Sequence, residues 1–183
     1  MSDDTPPNNT PPDREQRPES IHPNSLKAYT VLGAFLEQDG WHPQADEARH
    51  FYRMGFSGKN GEFRCFAQIL ANVQQIMFYA VAPMRVPEEV RPAVAEFITR
   101  ANYGMRIGNF EMDYSDGEVR YKTSLDFEDA ELTPPLIRNM IYPAVLTMDR
   151  YLPGLMSVVF GGRTPFEAIE EIEGRPADRR EDS

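Results

Sequence analysis

The chain has 183 residues, of which 40% are hydrophobic and 26% charged, and its net charge is −10. A chain of this length suits one domain with a buried core. A single cysteine excludes an internal disulfide and a cysteine metal cluster within one chain. The sequence has no apolar run of roughly 20 residues, as a membrane helix needs, and no secretory signal, so we expect a cytoplasmic protein.

The negative charge is concentrated at the two ends. Residues 1–21 carry five acids and two bases, and residues 164–183 carry seven acids and three bases, which leaves 17 acids and 14 bases between them. No cluster of Lys or Arg offers an electrostatic footprint for nucleic acid or an anionic membrane. We predict a disordered, proline-rich, acidic tail at 1–21, an α+β domain at 22–173 and a disordered charged tail at 174–183.

The first predicted helix follows this tail and ends near Gly40. Asn24 or Ser25 is a candidate cap, and the apolar residues recur at helical spacing. The predicted stripe consists of Leu26, Tyr29, Leu32 or Gly33, and Leu36.

Three antiparallel strands are predicted next. A two-residue turn at Asn60-Gly61 and a second turn at Asn72-Val73 give a meander whose inner face is apolar throughout. The first turn pairs Phe56 with Cys65, Met54 with Ala67, and Tyr52 with Ile69. The second turn pairs Ile69 with Ile76, Ala67 with Phe78, and Cys65 with Ala80.

The other face of this meander is also apolar, where a solvated sheet would be mostly polar. The registers place Phe51 beside Leu70 and Phe66 beside Tyr79, with Met77 and Val81 near them. Large apolar patches on a soluble surface mark partner sites. We therefore predict that a protein partner binds Phe51, Phe66, Leu70, Met77 and Tyr79. In the alternative, a helix or tail of the same chain covers this face.

A second helix is predicted at 87–104, followed by a hairpin rich in carboxylates. With Asp116-Gly117 as a two-residue turn, Asp113 faces Arg120 and Glu111 faces Lys122. Each strand carboxylate then has a cation opposite it, and this favours a structural role for these acids over a metal or catalytic role.

The last part of the chain is predicted to be helical from Thr133 onward. Pro143 and Pro153 are expected to kink or divide this helix, with the break at Pro153-Gly154. A final helix begins with a capping box formed by Thr164 and Glu167.

Other polar groups give no convincing site. His42, Asp46, Glu47 and His50 are close in sequence, but His50 is predicted on the inner face of the first strand, and a packed histidine is the favoured interpretation. Cys65 is predicted to be buried and inert. We therefore predict no catalytic, cofactor-binding or metal-binding residues.

Three segments carry a family resemblance. These are VPEEVRPAVAEFITR, RANYGMRIGNFEMDYSDGEVRYKTSLD and MDRYLPGLMSVVFGGRTPFEAIEEIE. They resemble the YbjN family of bacterial proteins, described as putative sensory transduction regulators, with a fold similar to that of type III secretion chaperones. The resemblance implies an α+β fold with one antiparallel sheet in the order α-β-β-β-α-β-β-α(α), and a non-enzymatic, dimeric or partner-binding module.

Two functions from different classes remain open. The favoured one is a chaperone-like or regulatory interaction module that dimerises and binds a protein segment in a groove or at a strand edge. The alternative is a small-ligand-binding protein or an enzyme with a pocket between the sheet and the C-terminal helices. Asp149, Arg150 and Tyr151 are the candidate polar lining of that pocket.

Overall fold

One antiparallel sheet of six strands organises the molecule, and helices cover one of its faces. The computed structural model describes residues 21–174. The helices are α1 (Pro23–Gln38), α2 (Arg91–Asn102), α3 (Pro134–Phe160) and α4 (Pro165–Glu173). The strands are β1 (Gln44–Asp46), β2 (Phe51–Ser57), β3 (Glu62–Leu70), β4 (Gln75–Arg85), β5 (Asn109–Met112) and β6 (Glu118–Asp126). Their spatial order is β1-β2-β3-β4-β6-β5.

The predicted fold class, α+β with a single antiparallel sheet, is confirmed. The structure adds β1, a three-residue edge strand that the sequence analysis missed, and short 3₁₀ helices at Glu47–Arg49 and Glu88–Val90. The predicted second helix therefore begins later, at Arg91, with Pro92 in its first turn, where a missing N–H costs nothing. Residues 1–20 and 175–183, which hold nearly all of the two predicted tails, lie outside the described residues.

The start of α1 differs from the prediction because its polar residues serve tertiary contacts. His22 is the cap and accepts a hydrogen bond from the Asn24 N–H at 3.3 Å. The Asn24 side chain instead donates to the Ala130 carbonyl at 2.9 Å, and the buried Ser25 hydroxyl donates to the Ala71 carbonyl at 2.8 Å. The buried stripe of the helix contains Leu32 and Leu36 as predicted, together with Ala28 and Phe35, whereas Leu26 is exposed.

The β3–β4 register is confirmed, and the registers of the two other hairpins are wrong by two residues. Met54 lies opposite Cys65 and Phe51 opposite Gln68, because the loop at 58–61 is centred one residue before the predicted turn at Asn60-Gly61. Likewise Glu111 lies opposite Arg120, because the loop at 113–117 has five residues. A shift of two residues keeps every side chain on its predicted face.

The helix α3 runs without a break through both of its prolines, so the predicted division at Pro153-Gly154 is wrong. A proline at position 153 cannot donate to the carbonyl four residues earlier, that of Asp149. The Asn60 side-chain amide donates to this carbonyl at 2.9 Å. The loop between β2 and β3 thus replaces the hydrogen bond that the proline removes, and the helix continues.

The core lies between α1, α3 and the inner face of the sheet, α2 extends it beside β5, and α4 packs on α2 and α3. Phe78, Ile76 and Tyr121 on the inner face are almost fully buried, as are Ile141 and Met148 of α3. The predicted capping box of α4 is confirmed, since Thr164 and Glu167 exchange side-chain and main-chain hydrogen bonds. The opposite face of the sheet, called the outer face below, is the first candidate for a binding surface.

Candidate interaction surfaces

The outer face carries the five residues that the sequence assigned to a partner. Phe66 lies opposite Tyr79, as predicted, and the Phe51 and Phe66 rings stack with centroids 5.5 Å apart. Met77 and Leu70 occupy the same side of β4 and β3. Phe51, Tyr79 and Val81 are buried although they do not belong to the main core cluster, whereas Phe66, Leu70 and Met77 are half-buried. The outer face is thus a row of aromatic and apolar side chains separate from the core.

Arginine side chains lie over the aromatic rings of the outer face. The guanidinium of Arg120 is 4.3 Å from the Tyr79 ring centroid, and Arg53 lies 5.8 Å from that of Phe51. Cations in this position are attracted by the ring face, and their aliphatic stems cover apolar surface. Aromatic residues, methionine and arginine are the residue types enriched at protein interfaces, and the outer face combines all three.

The carboxylates of the β5–β6 hairpin are structural, as the sequence analysis favoured, although one predicted pairing is wrong. Glu111 accepts hydrogen bonds from Arg120, at 2.9 and 3.0 Å, and from Lys122. Burial alone would raise the pKa of Glu111, but these two cations outweigh burial and hold that pKa below its ordinary value. Asp113 lies in the turn and accepts hydrogen bonds from the Ser115 N–H and hydroxyl, because the shifted register places Glu111, and not Asp113, opposite Arg120.

The histidines and acids near β1 do not converge on a metal. Asp46 caps the 3₁₀ helix at Glu47–Arg49 by accepting from the Arg49 N–H. His50 precedes β2 in a left-handed conformation, φ 50°, so it is not part of the strand as predicted. Its ring contacts Tyr29 of α1, which also stacks on the inner-face Tyr52, so His50 is a packed histidine on the side of the sheet that α1 covers. Within residues 21–174, no group of three or more His, Cys, Asp or Glu side chains is arranged to hold a metal ion.

Cys65 is fully buried on the inner face, as predicted. Burial raises the pKa of its thiol, so the thiolate required of a nucleophile is disfavoured.

Asp149 is not part of the groove that its two neighbours line, contrary to the prediction. Its buried carboxylate turns toward the β2–β3 loop and accepts the Asn60 N–H at 2.7 Å and the Lys59 N–H at 3.1 Å. Gly58 allows this approach, because a Cβ there would lie 2.2 Å from the Asp149 Oδ1 atom. The carboxylate therefore holds a loop and has no free oxygen directed at a ligand.

Arg150 and Tyr151, the other two members of that trio, do line an open groove. The groove lies between α3 and the loop at 103–108 that joins α2 to β5. It has two adjoining parts of about 620 and 610 Å³, which share Pro143 and Leu146. The sequence analysis did not identify this groove. The sequence feature that could have indicated it is the segment NYGMRIGN, a loop that contains two glycines and also three large apolar residues, Tyr103, Met105 and Ile107.

The class of the molecule follows from these features: it is an α+β protein whose two candidate sites are an outer sheet face and an open groove. The chain belongs to the YbjN family, since the family model, described as "Putative bacterial sensory transduction regulator", matches residues 29–156. No match was found among the curated proteins. No helix among the described residues has both the length and the apolar character that a membrane crossing requires.

Two solved structures are similar to the chain. One is the crystal structure of the ExsC-ExsE complex, with 13% identity and a TM-score of 0.49, covering 70% of this chain and 93% of that chain. The other is YbjN from E. coli, described as a putative transcription regulator, with 10% identity and a TM-score of 0.49, covering 73% of this chain and 89% of that chain.

Proposed function

We propose that the protein is a non-enzymatic, cytoplasmic interaction module that forms a homodimer through its outer face and regulates a process by binding a protein partner. The observation that carries this proposal is the row of Phe51, Phe66, Leu70, Met77 and Tyr79 outside the main core cluster. Tyr, Phe, Met and Arg are the residues enriched at protein interfaces. Family membership adds that relatives are described as regulators.

The charge of the outer face favours a second copy as its occupant. A chain with a net charge of −10 repels its own copy unless the touching surfaces are neutral. The outer face carries as many cationic as acidic side chains. They are Arg53, Arg64, Arg85, Arg120 and Lys122 against Asp46, Glu62, Glu111, Glu118 and Asp126. A two-fold axis through the aromatic row would therefore bury apolar surface without charge repulsion.

The strand edges are less suitable for association. The edge strands β1 and β5 have only three and four residues. Short edge strands offer few unpaired main-chain groups to a further strand.

The alternative of an enzyme or small-ligand pocket is also weaker, because Asp149 is bound to a loop and the groove is open rather than enclosed.

The test is the mass of the protein in solution after the outer face is made acidic. We expect Phe66→Glu with Met77→Glu to keep the native circular dichroism spectrum, because both side chains are half-exposed, and to shift the protein from dimer to monomer in sedimentation velocity. Tyr114→Glu is the control, since Tyr114 is an exposed aromatic residue in the β5–β6 turn. A wild-type monomer, or a double variant that stays dimeric, would defeat the proposal.

The proposed unit for this function is residues 22–173, with 1–21 and 174–183 as tails that the dimer does not require. A chain limited to 22–173 is therefore expected to keep the melting temperature and the dimer mass of the full chain. If the shortened chain became a monomer, a tail would be part of the contact.

A further inference from the structure

We propose that the groove between α3 and the α2–β5 loop binds an acidic peptide segment of a partner protein, anchored by apolar side chains. The proposal rests on the proposed interaction function, but it concerns a different surface. The partner segment is defined by its chemistry: carboxylates for the arginines at the groove and one or two large apolar residues for its centre. We call this surface the loop groove, lined by Tyr103, Arg106, Ile107, Pro143, Leu146 and Arg150 among others.

The loop wall of the loop groove is fixed in place before any partner arrives. The Tyr121 hydroxyl donates to the Ile107 carbonyl at 2.5 Å. The Asn102 side chain accepts the Phe110 N–H at 2.7 Å and donates to the Phe110 carbonyl at 3.0 Å. Gly108 adopts φ 76°, and a Cβ there would clash with the Lys122 carbonyl at 2.5 Å. A loop held at this many points loses little conformational entropy on binding, which favours affinity.

This ordered loop presents apolar side chains to solvent instead of burying them. Tyr103 is 87% exposed and Ile107 is 46% exposed, and Leu146 on the facing helix is 57% exposed. Apolar side chains gathered on one exposed surface, and not scattered singly, mark an interaction site. The helix contributes a continuous wall, because Asn139, Pro143, Leu146 and Arg150 recur every three or four residues and share one face of α3.

The charges around the loop groove select an acidic occupant. Arg106 and Arg150 are exposed, and neither forms an ion pair with a carboxylate of the described residues. The Arg150 guanidinium donates one hydrogen bond, to the Ile172 carbonyl at 3.2 Å. Glu173 at the rim is held by the Tyr151 hydroxyl at 3.2 Å. A second copy placed symmetrically on this groove would bring arginines against arginines. Carboxylates of a partner would instead form charge-assisted hydrogen bonds with both guanidinium groups.

The helix also offers a main-chain acceptor in the loop groove. Pro143 cannot donate to the Asn139 carbonyl, just as Pro153 cannot donate to that of Asp149. Asn60 supplies the missing donor for Asp149, but no side chain among the described residues donates to the Asn139 carbonyl. Asn139 and Pro143 both line the groove. An N–H group of a bound peptide would donate to this carbonyl.

The test uses a fluorescein-labelled eight-residue peptide with the sequence DELDWLDE and fluorescence anisotropy on the full chain. We expect saturable binding that weakens as NaCl is raised from 50 to 300 mM, because part of the affinity is electrostatic. A control peptide with serine at every acidic position is expected to bind at least tenfold more weakly. A control with glycine in place of Leu and Trp is expected to do the same, since both components are needed.

Variants of the protein locate the binding surface. Arg106→Ser with Arg150→Ser, and separately Leu146→Ser, are expected to weaken peptide binding tenfold or more while the dimer mass and the native circular dichroism spectrum stay unchanged. Arg163→Ser is the matched control, because Arg163 is an exposed arginine outside the groove. No binding by the wild type, or equal loss of binding with Arg163→Ser, would overturn the proposal.

The outer-face variant separates this proposal from the dimer. Phe66→Glu with Met77→Glu is expected to retain peptide affinity within twofold, because those residues lie on the opposite side of the sheet from α3. If that variant lost peptide binding and the groove variants kept it, the peptide would bind the outer face and the loop-groove proposal would be wrong. A monomeric wild type that still binds the peptide at the groove would overturn only the dimer.

Discussion

Replacing Asp149 by alanine is expected to destabilise the protein strongly, because one buried carboxylate holds the β2–β3 loop onto α3. The carboxylate accepts the main-chain N–H groups of Asn60 at 2.7 Å and Lys59 at 3.1 Å. A hydrogen bond to a charged group contributes about 1.5–3 kcal/mol. Since water reaches part of this loop after truncation, we take the lower end for each bond and expect a loss of about 3 kcal/mol.

That loss corresponds to a fall in melting temperature of roughly 6–12 °C for a protein of this size. Thermal melts followed by circular dichroism measure it, and urea titration gives the free energy of unfolding directly. Glu37→Ala is the control, because Glu37 is an exposed carboxylate on α1 and its removal is expected to change stability by less than about 0.5 kcal/mol. Equal melting temperatures for the two variants would refute the reasoning.

A double-mutant cycle tests whether the same loop compensates for the proline in α3. Asn60→Ala removes the donor to the Asp149 carbonyl, whereas Pro153→Ala restores a helical N–H for that carbonyl. Asn60→Ala is therefore expected to cost less in the Pro153→Ala background, with a coupling energy of about 0.5–1 kcal/mol. An identical cost in both backgrounds would mean that the helix tolerates the proline for another reason.

Two further predictions concern a glycine and a salt bridge. Gly58→Ala is expected to lower stability by about 1–3 kcal/mol, since its Cβ would meet a carboxylate oxygen at 2.2 Å, whereas Gly55→Ala, with nothing within 4 Å, should be neutral in the same thermal melts. The depressed pKa of Glu111 means that its contribution is complete above the ordinary carboxyl pKa of about 4.3 and is lost as pH falls through the lower folded value. The stability difference between wild type and Glu111→Gln should therefore shrink below about pH 4.3 in urea titrations, and a constant difference would contradict the pairing with Arg120 and Lys122.

Local patterns in the sequence located the helices and hairpins, but they predicted a break in α3 that is absent and the wrong centre for two turns. The β3–β4 register was predicted correctly from the centre of a turn at Asn72-Val73, whereas the turns centred on Asn60-Gly61 and Asp116-Gly117 give registers that are two residues off. In the first of these hairpins the reason is tertiary. The carboxylate of Asp149, about 90 positions away in the chain, binds two N–H groups of the β2–β3 loop and stabilises the longer form.

The sequence predicted the outer face but not the loop groove, because only the outer face depends on a local pattern. The alternation of apolar residues placed Phe66, Tyr79 and Met77 on the outer face from sequence alone, since a strand has a fixed period of two. The loop groove was not predicted, because Tyr103 and Leu146 are 43 positions apart and neither belongs to a motif. The trio of Asp149, Arg150 and Tyr151 was assigned to one pocket, but successive residues of a helix point in different directions.

The sequence by itself determined the α+β class, the inner and outer faces of the sheet and the capping box of α4, because these patterns depend on residues near one another in the chain. Tertiary structure decided what depends on distant residues: the continuity of α3 through Pro153, the role of Asp149 and the two walls of the loop groove. In each case a polar or apolar group has a partner that the local sequence does not contain, and the partner's position is fixed only when the sheet and helices pack.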